Sequence, residues 1–221
     1  MPYSTVVRTS LVPFLVFTLL ALSWTAAQAE PIPPLSPLPV RGYILMDHQS
    51  GNVLAEMKSD ERMEPASITK LMTGYVIYKA LKSGKIHLND QVTISEKAWR
   101  TSGSKMFVKL GTQVSVDDLL KGMVVQSGND ATVALAEHVA GSEETFVKLM
   151  NQEAERLGMK NSHFTNAPGM PDPNHYMSAH DIAILTRALI RDFPDQYPRY
   201  AERSFKYNNI EQQNRNRLLL T

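Results

Sequence analysis

The sequence predicts an α+β domain, a cluster of buried helices with a strand pair ahead of it. Three observations carry that reading. Two short apolar runs, "GYILMD" and "NVLAEM", flank His48, Gln49, Ser50 and Gly51, a turn-forming set that suggests an antiparallel hairpin. The stretch "EPASITKLMTGYVIYKAL" opens on Pro65 and runs into an almost wholly apolar helix. From Ser115 onward, helical segments follow one another with capping residues before them and glycine or proline after them. Helices and a strand pair around one core make a layered α+β arrangement.

Residues 1–29 stand outside that domain. They carry Arg8, an apolar run from Leu11 to Trp24 and a small-x-small ending at Ala27, Gln28 and Ala29, the pattern of a signal peptide cut before Glu30. Pro13 breaks the run and argues against a retained membrane anchor. Residues 30–40, "EPIPPLSPLPV", hold five prolines in eleven residues and read as an extended leader. The folded domain is expected over 41–221, in a protein that works outside the cytoplasm.

Cleavage removes Arg8 and no acid, so the formal charge moves from +1 to zero, which implies neither nucleic acid nor an anionic membrane as partner. The chain has no cysteine, so it has no disulfide, thiolate nucleophile or thiolate metal site. With 221 residues, 43% of them hydrophobic, there is enough chain for one sizeable core or a core and a small lobe.

The helix after Pro65 carries Ile68, Leu71, Met72, Tyr75, Val76, Ile77, Ala80 and Leu81. That is more apolar surface than one face can hold, so the helix should be buried on most sides, ending near Gly84. Residues 85–111 read as loops and short strands, with alternation in "IHLNDQVTIS". Ser115 and Asp118 form a capping-box-like start for "VDDLLKGMVVQ", the turn "SGND" interrupts, and "DATVALAEHVAG" resumes the helical pattern. Ser142 caps "EETFVKLMNQEAERLG", and Ser178 with Asp181 starts "AHDIAILTRALIRDF".

The chemistry centres on Ser67 and Lys70. Residues three apart on a helix share a face, so the hydroxyl and the amine can meet one turn into the helix. A serine hydroxyl is a poor nucleophile until a neighbour takes its proton. Lysine can do so only when neutral, a form that burial and nearby positive charge favour. An isolated serine-x-x-lysine is also compatible with a helix-start serine and a solvated lysine. About sixty residues on, Ser127, Gly128 and Asn129 make a tight turn that can push two polar side chains into a cleft; the plainer alternative makes Asn129 or Asp130 a helix N-cap.

Together "PASITKLMT" and "QSGNDA" resemble the serine D-alanyl-D-alanine carboxypeptidases, the low-molecular-mass penicillin-binding proteins of peptidase S11 type. "GYILMDHQSGNVLAE", "SKMFVKLG", "LGMKNSHFTNAPGM", "SAHDIAILTRALI" and "NRN" extend the likeness from about Gly42 to Asn216. The resemblance implies the penicillin-binding-protein/β-lactamase-like transpeptidase fold, a helical cluster packed on an antiparallel sheet. It makes Ser67 the acylated nucleophile and Lys70 its proton acceptor; Ser127 passes a proton to the leaving D-alanine, and Asn129 holds the substrate amide and orients the lysine. It further implies peptidoglycan stem peptides and β-lactams as partners, no metal or organic cofactor, and a place in the periplasm or on the outer face of the bacterial inner membrane. Relatives often carry a C-terminal amphipathic anchor, and no such segment is present in this sequence.

The family's lysine-threonine-glycine triplet does not occur in this sequence. The expectation is therefore a truncated or incomplete domain with an incomplete sheet, an apolar helix left partly uncovered, weak penicillin labelling and melting without cooperativity. The nearest rival within the resemblance is a peptidoglycan endopeptidase; an inactive fragment or a non-catalytic wall-peptide binder is another, and a β-lactamase is disfavoured by Gly128. A zinc peptidase built on His163, His175 and His180 with Asp172 and Asp181 has no helix-face ligand spacing, and no GxSxG elbow supports a serine-histidine-aspartate hydrolase.

Overall fold

The computed structural model describes Met1, Tyr3 and residues 38–219, so nearly all of the signal peptide and of the leader lies outside the described residues. The unit that begins at Pro39 is the folded domain. It opens with strands β1 (Tyr43–Met46) and β2 (Val53–Met57), paired antiparallel with Tyr43 opposite Met57. The turn between them closes on Asp47, whose side chain accepts from the Ser50 amide at 2.7 Å and from its hydroxyl at 2.6 Å.

Pro65 leads into a 3-10 turn, Ala66–Thr69, and helix α1 (Lys70–Lys82) begins only at Lys70. The expected single helix is thus two pieces. Ala66 has φ 45°, outside the right-handed helical region, and the Ile68 amide bonds three residues back to the Pro65 carbonyl at 3.0 Å. In a 3-10 turn residues i and i+3 eclipse, so Ser67 and Lys70 still face one way.

Helix α2 (Glu96–Arg100), capped by the Ser95 hydroxyl, lies where the sequence suggests loops and short strands. It is only five residues long, too short for a hydrophobic period to register. Strands β3 (Gln91–Thr93) and β4 (Gln113–Ser115) pair across it. Helices α3 (Val116–Val125), α4 (Asn129–Ala140), α5 (Glu143–Leu157) and α6 (Ala179–Asp192) follow. Ser115, Ser142 and Ser178 each cap the helix they precede by accepting from the amide three residues on. Helix α4 starts differently: Gly128 is its N-cap and makes no side-chain cap, so neither Asn129 nor Asp130 serves there. A last hairpin, β5 (Ser204–Tyr207) and β6 (Ile210–Gln213), turns on Asn208 and Asn209, both at positive φ.

Among the described residues the β-structure is three separate two-stranded antiparallel ladders rather than one sheet. Helix α1 packs against α4, α5 and α6, and Met72 and Ile77 are fully buried. The expectation of a partly uncovered α1 is therefore corrected, because neighbouring helices enclose it and Tyr75, Val76, Tyr78 and Ala80 are buried as well. No helix among the described residues is long and apolar enough to cross a membrane.

Candidate active site

The 3-10 turn and the first residue of α1 bring Ser67 and Lys70 together: Lys70 Nζ lies 3.2 Å from Ser67 Oγ. Lys70 is only 7% exposed, and its nitrogen also donates to Asn129 Oδ1 at 2.7 Å and to the Pro168 carbonyl at 2.9 Å. Two of these partners are carbonyl oxygens, which can only accept. A neutral amine has two hydrogens and one lone pair, so with both hydrogens on the carbonyls its lone pair is left for the Ser67 hydroxyl. Burial, and after it the positive charge of Arg215, bring the Lys70 ammonium down to about 8. At pH 7 about one lysine in ten is then neutral.

Ser127 sits in the turn between α3 and α4 at φ 61°, and its buried hydroxyl has no hydrogen-bond partner among the described residues. Ser67, Lys70, Ser127, Tyr200, Arg215 and Asn216 share the lining of one cavity of about 550 Å³. Two non-glycine residues at the site, Ala66 and Ser127, therefore hold left-handed backbone, a conformation that persists only where the surroundings impose it.

Asn129 is placed by both of its amide atoms. Its oxygen accepts from Lys70, and its nitrogen donates to the Ser102 carbonyl at 2.7 Å and lies 3.5 Å from the Met170 sulfur. In this arrangement the Asn129 oxygen is held by Lys70, and its amide nitrogen is shared between the Ser102 carbonyl and the Met170 sulfur. Gly103 lets the 102–104 loop close, because a Cβ there would lie 2.6 Å from Asn129 Nδ2.

Four participants escaped the sequence reading. Asp130 is 1% exposed and accepts from the amides of Met106, Phe107 and Val108 at 2.9 to 3.2 Å, fastening the "SKMFVKLG" loop beside the Ser127 turn. Arg215 supplies the positive charge that sequence reasoning requires but does not locate; it also bonds to the Ser104 hydroxyl. The Pro168 carbonyl and the loop carrying it are further additions, with Thr73 Oγ1 donating to Ala167 O at 2.7 Å and the Ala167 amide donating to Glu143 at 2.9 Å. No local pattern announces these roles, since each partner lies more than twenty residues away.

The histidines take structural positions. His175 bonds to Thr69 and Thr165, His163 to the Asn174 carbonyl, and His180 stands 3.4 Å from Asp60, while Asp181 accepts from the Asn161 amide and the Ser162 hydroxyl. Among the described residues no group of three histidine or carboxylate side chains is placed to hold a metal ion.

Comparison with known proteins gives the family and the fold. The chain is 48% identical over 220 residues to D-alanyl-D-alanine carboxypeptidase DacA of Haemophilus influenzae, covering 96% of this chain and 55% of that one. It is 48% identical over 201 residues to DacC of Escherichia coli, covering 88% and 50%. The crystal structure of penicillin binding protein 5 from Haemophilus influenzae superposes with a TM-score of 0.81 at 49% identity, over 85% of this chain and 56% of that one. The chain thus spans about half the length of the curated relatives it matches, and the fold is that of penicillin-binding protein 5. Since the peptidase S11 family model, described as D-alanyl-D-alanine carboxypeptidase, matches residues 29–221, the chain belongs to that family of serine carboxypeptidases.

Proposed function

We propose that the protein is a serine DD-carboxypeptidase that removes the terminal D-alanine from peptidoglycan pentapeptides through an acyl-enzyme on Ser67. One observation carries the reading: a buried lysine nitrogen holds two carbonyl acceptors and has one contact left for the Ser67 hydroxyl. In the first stage Lys70 takes the Ser67 proton as Oγ bonds to the carbonyl carbon between two D-alanines. The C–N bond breaks as Ser127 gives its proton to the departing amine and takes in turn the one held by Lys70, so that D-alanine leaves and the lysine is neutral again. In the second stage water loses a proton to Lys70 as its oxygen attacks the ester carbonyl, and that proton passes to Ser67 Oγ as the ester bond breaks.

Ser127 suits its part because its hydroxyl is buried at the shared cavity without a partner among the described residues, so a substrate group has no competing bond from them to displace. Asn129 and Pro168 hold the lysine, and Asn129 turns its amide toward substrate only by giving up Ser102. β-Lactams present a comparable carbonyl in a strained amide and should acylate the same serine. The relatives' names, carboxypeptidase and penicillin binding protein, support both statements. We place the working protein outside the cytoplasm, in the periplasm or at the outer face of the inner membrane, on the strength of residues 1–29.

Mass spectrometry after exposure to penicillin tests the proposal. An adduct on Ser67, absent from Ser67→Ala, is the expected result, and its yield measures how far the missing lysine-threonine-glycine triplet weakens labelling. A chain that acquires none is an inert fold or a wall-peptide binder, and the proposal falls. Product analysis on a pentapeptide and on a cross-linked dimer then separates carboxypeptidase from endopeptidase, with free D-alanine from the pentapeptide expected.

A further inference from the structure

We propose that His175 is a positioning residue for the Ser67–Lys70 pair: neutral, it pins the loop 165–170 against Thr69, and protonated, it releases that loop and withdraws the Pro168 carbonyl from Lys70. This rests on the proposed role of that pair.

His175 is 2% exposed and stands between two chain segments. Its Nε2 lies 2.8 Å from Thr69 Oγ1, and its Nδ1 accepts from the Thr165 amide at 3.2 Å, with the Thr165 hydroxyl equally close. A backbone amide can only donate, so Nδ1 carries the lone pair and Nε2 the proton, which is donated to Thr69. Thr69 immediately precedes Lys70 and is fully buried. The imidazole thus ties the residue before the base to the loop that presents the base with its carbonyl.

That loop behaves as one piece. Asn166 Oδ1 accepts from the Gly169 and Met170 amides at 2.8 and 2.7 Å, and Asn166 Nδ2 donates back to the Met170 carbonyl at 3.0 Å. Gly169, at φ 88°, sits so close to the nucleophile turn that a Cβ would come within 1.9 Å of the Ala66 carbonyl oxygen. A shift of the loop at Thr165 is therefore carried to Pro168 and to the turn bearing Ser67. Adding a proton at Nδ1 sets two donors face to face, and the Thr165 amide loses its acceptor whichever way the Thr165 hydroxyl turns.

The ionisable groups that act on the imidazole are Asp172 and His163; the loop it pins also meets Lys70 from α1 at the Pro168 carbonyl and Glu143 from α5 at the Ala167 amide. Burial lowers the His175 pKa most strongly, Asp172 opposes that, and His163 adds to it, so the ring protonates below the ordinary histidine range.

The test is the rate of fluorescent-penicillin labelling between pH 5 and 8. Protonation of Lys70 alone gives a slope of about one in log rate against pH, and a second essential deprotonation raises it to about two. The wild-type slope is expected to steepen to two at the acid end, while His175→Gln, which keeps a donor for Thr69 and an acceptor for Thr165, stays at one. A wild-type slope of one throughout, or a steepening that survives His175→Gln, overturns the proposal. If that variant fails to fold, NMR of wild-type protein labelled at histidine and lysine nitrogens decides. Lys70 Nζ must shift a second time at the pH where His175 titrates, and a Lys70 signal blind to that titration overturns the inference. A chain that labels at no pH defeats the carboxypeptidase reading instead, and the same NMR titration still judges His175.

Discussion

The two ends of α1 are buried almost equally and for opposite reasons. From Tyr75 to Ala80 the helix is enclosed by apolar side chains, with Phe193 edge-on to Tyr75 at 5.0 Å. At its start Met72 is enclosed together with three polar residues, Thr69, Lys70 and Thr73, each held by a polar partner from a distant segment. Apolar burial stabilises the fold, whereas burial of an ammonium group costs stability and is kept only where partners and function require it. The polar end is where a reaction can be run, and the apolar end holds it still.

Lys70→Ala should produce the largest effect on that contrast. Losing the base slows fluorescent-penicillin acylation by about a thousandfold, near 4 kcal/mol of barrier, while leaving the melting transition cooperative. Acylation of Lys70→Ala at the normal rate would remove lysine from the mechanism. Ile77→Ala at the apolar end should do the reverse, costing about 3 kcal/mol of stability by chemical denaturation with little change in labelling per folded molecule. A rate loss matching Lys70→Ala would erase the distinction between the ends.

Asp130→Asn probes the frame around the polar end. A carboxylate accepting from four amides, those of Met106, Phe107, Val108 and Ala131, gives way to a carboxamide with one acceptor oxygen, for about 2 kcal/mol of lost stability and slower labelling through the adjoining Asn129. The pH dependence comes next. With Lys70 near 8, acylation should fall about tenfold for each pH unit below that value, or about 1.4 kcal/mol per unit, until His175 begins to titrate at the acid end. The sign for stability follows as well. The unfolded lysine, at 10.5, binds its proton more tightly than the folded one, so between about 8 and 10.5 stability rises with pH and below 8 the full cost of the buried charge is present. Denaturant midpoints from pH 7 to 10 check this contribution once the other titrating groups are accounted for by a Lys70→Met control. Smallest is Lys97→Ala: Lys97 is half-exposed and bridges Glu143 and Glu144 at 2.9 and 2.7 Å, and its loss should change stability by less than about 1 kcal/mol.

Much of the site was legible because its members announce themselves locally. Ser67 and Lys70 lie one turn apart, and "QSGNDA" marks a turn between apolar segments. The serine caps of α3, α5 and α6 follow from side chains that reach only three residues along the chain. Helix α2 and the β5–β6 hairpin were not read. The first is too short to show a period, and the second had a usable signal in "KYNNIEQ", since paired asparagines favour the left-handed turn that joins two strands. The helical start at Pro65 was read one turn too early because composition does not reveal that Ala66 is held at positive φ by the packing of Gly169 against it.

By itself the sequence determined the strand pair before a buried helix, the caps that start three of the later helices, and the candidate nucleophile and base, since each depends on neighbours within a turn or on a short motif. Tertiary structure set the distance of the Lys70–Asn129 contact, which the resemblance implies, and alone decided that Lys70 meets Pro168 and the charge of Arg215 and that His175 stands behind Thr69. Those contacts join residues 59 to 145 positions apart, where no local propensity acts and only the packing of the whole domain sets the distances.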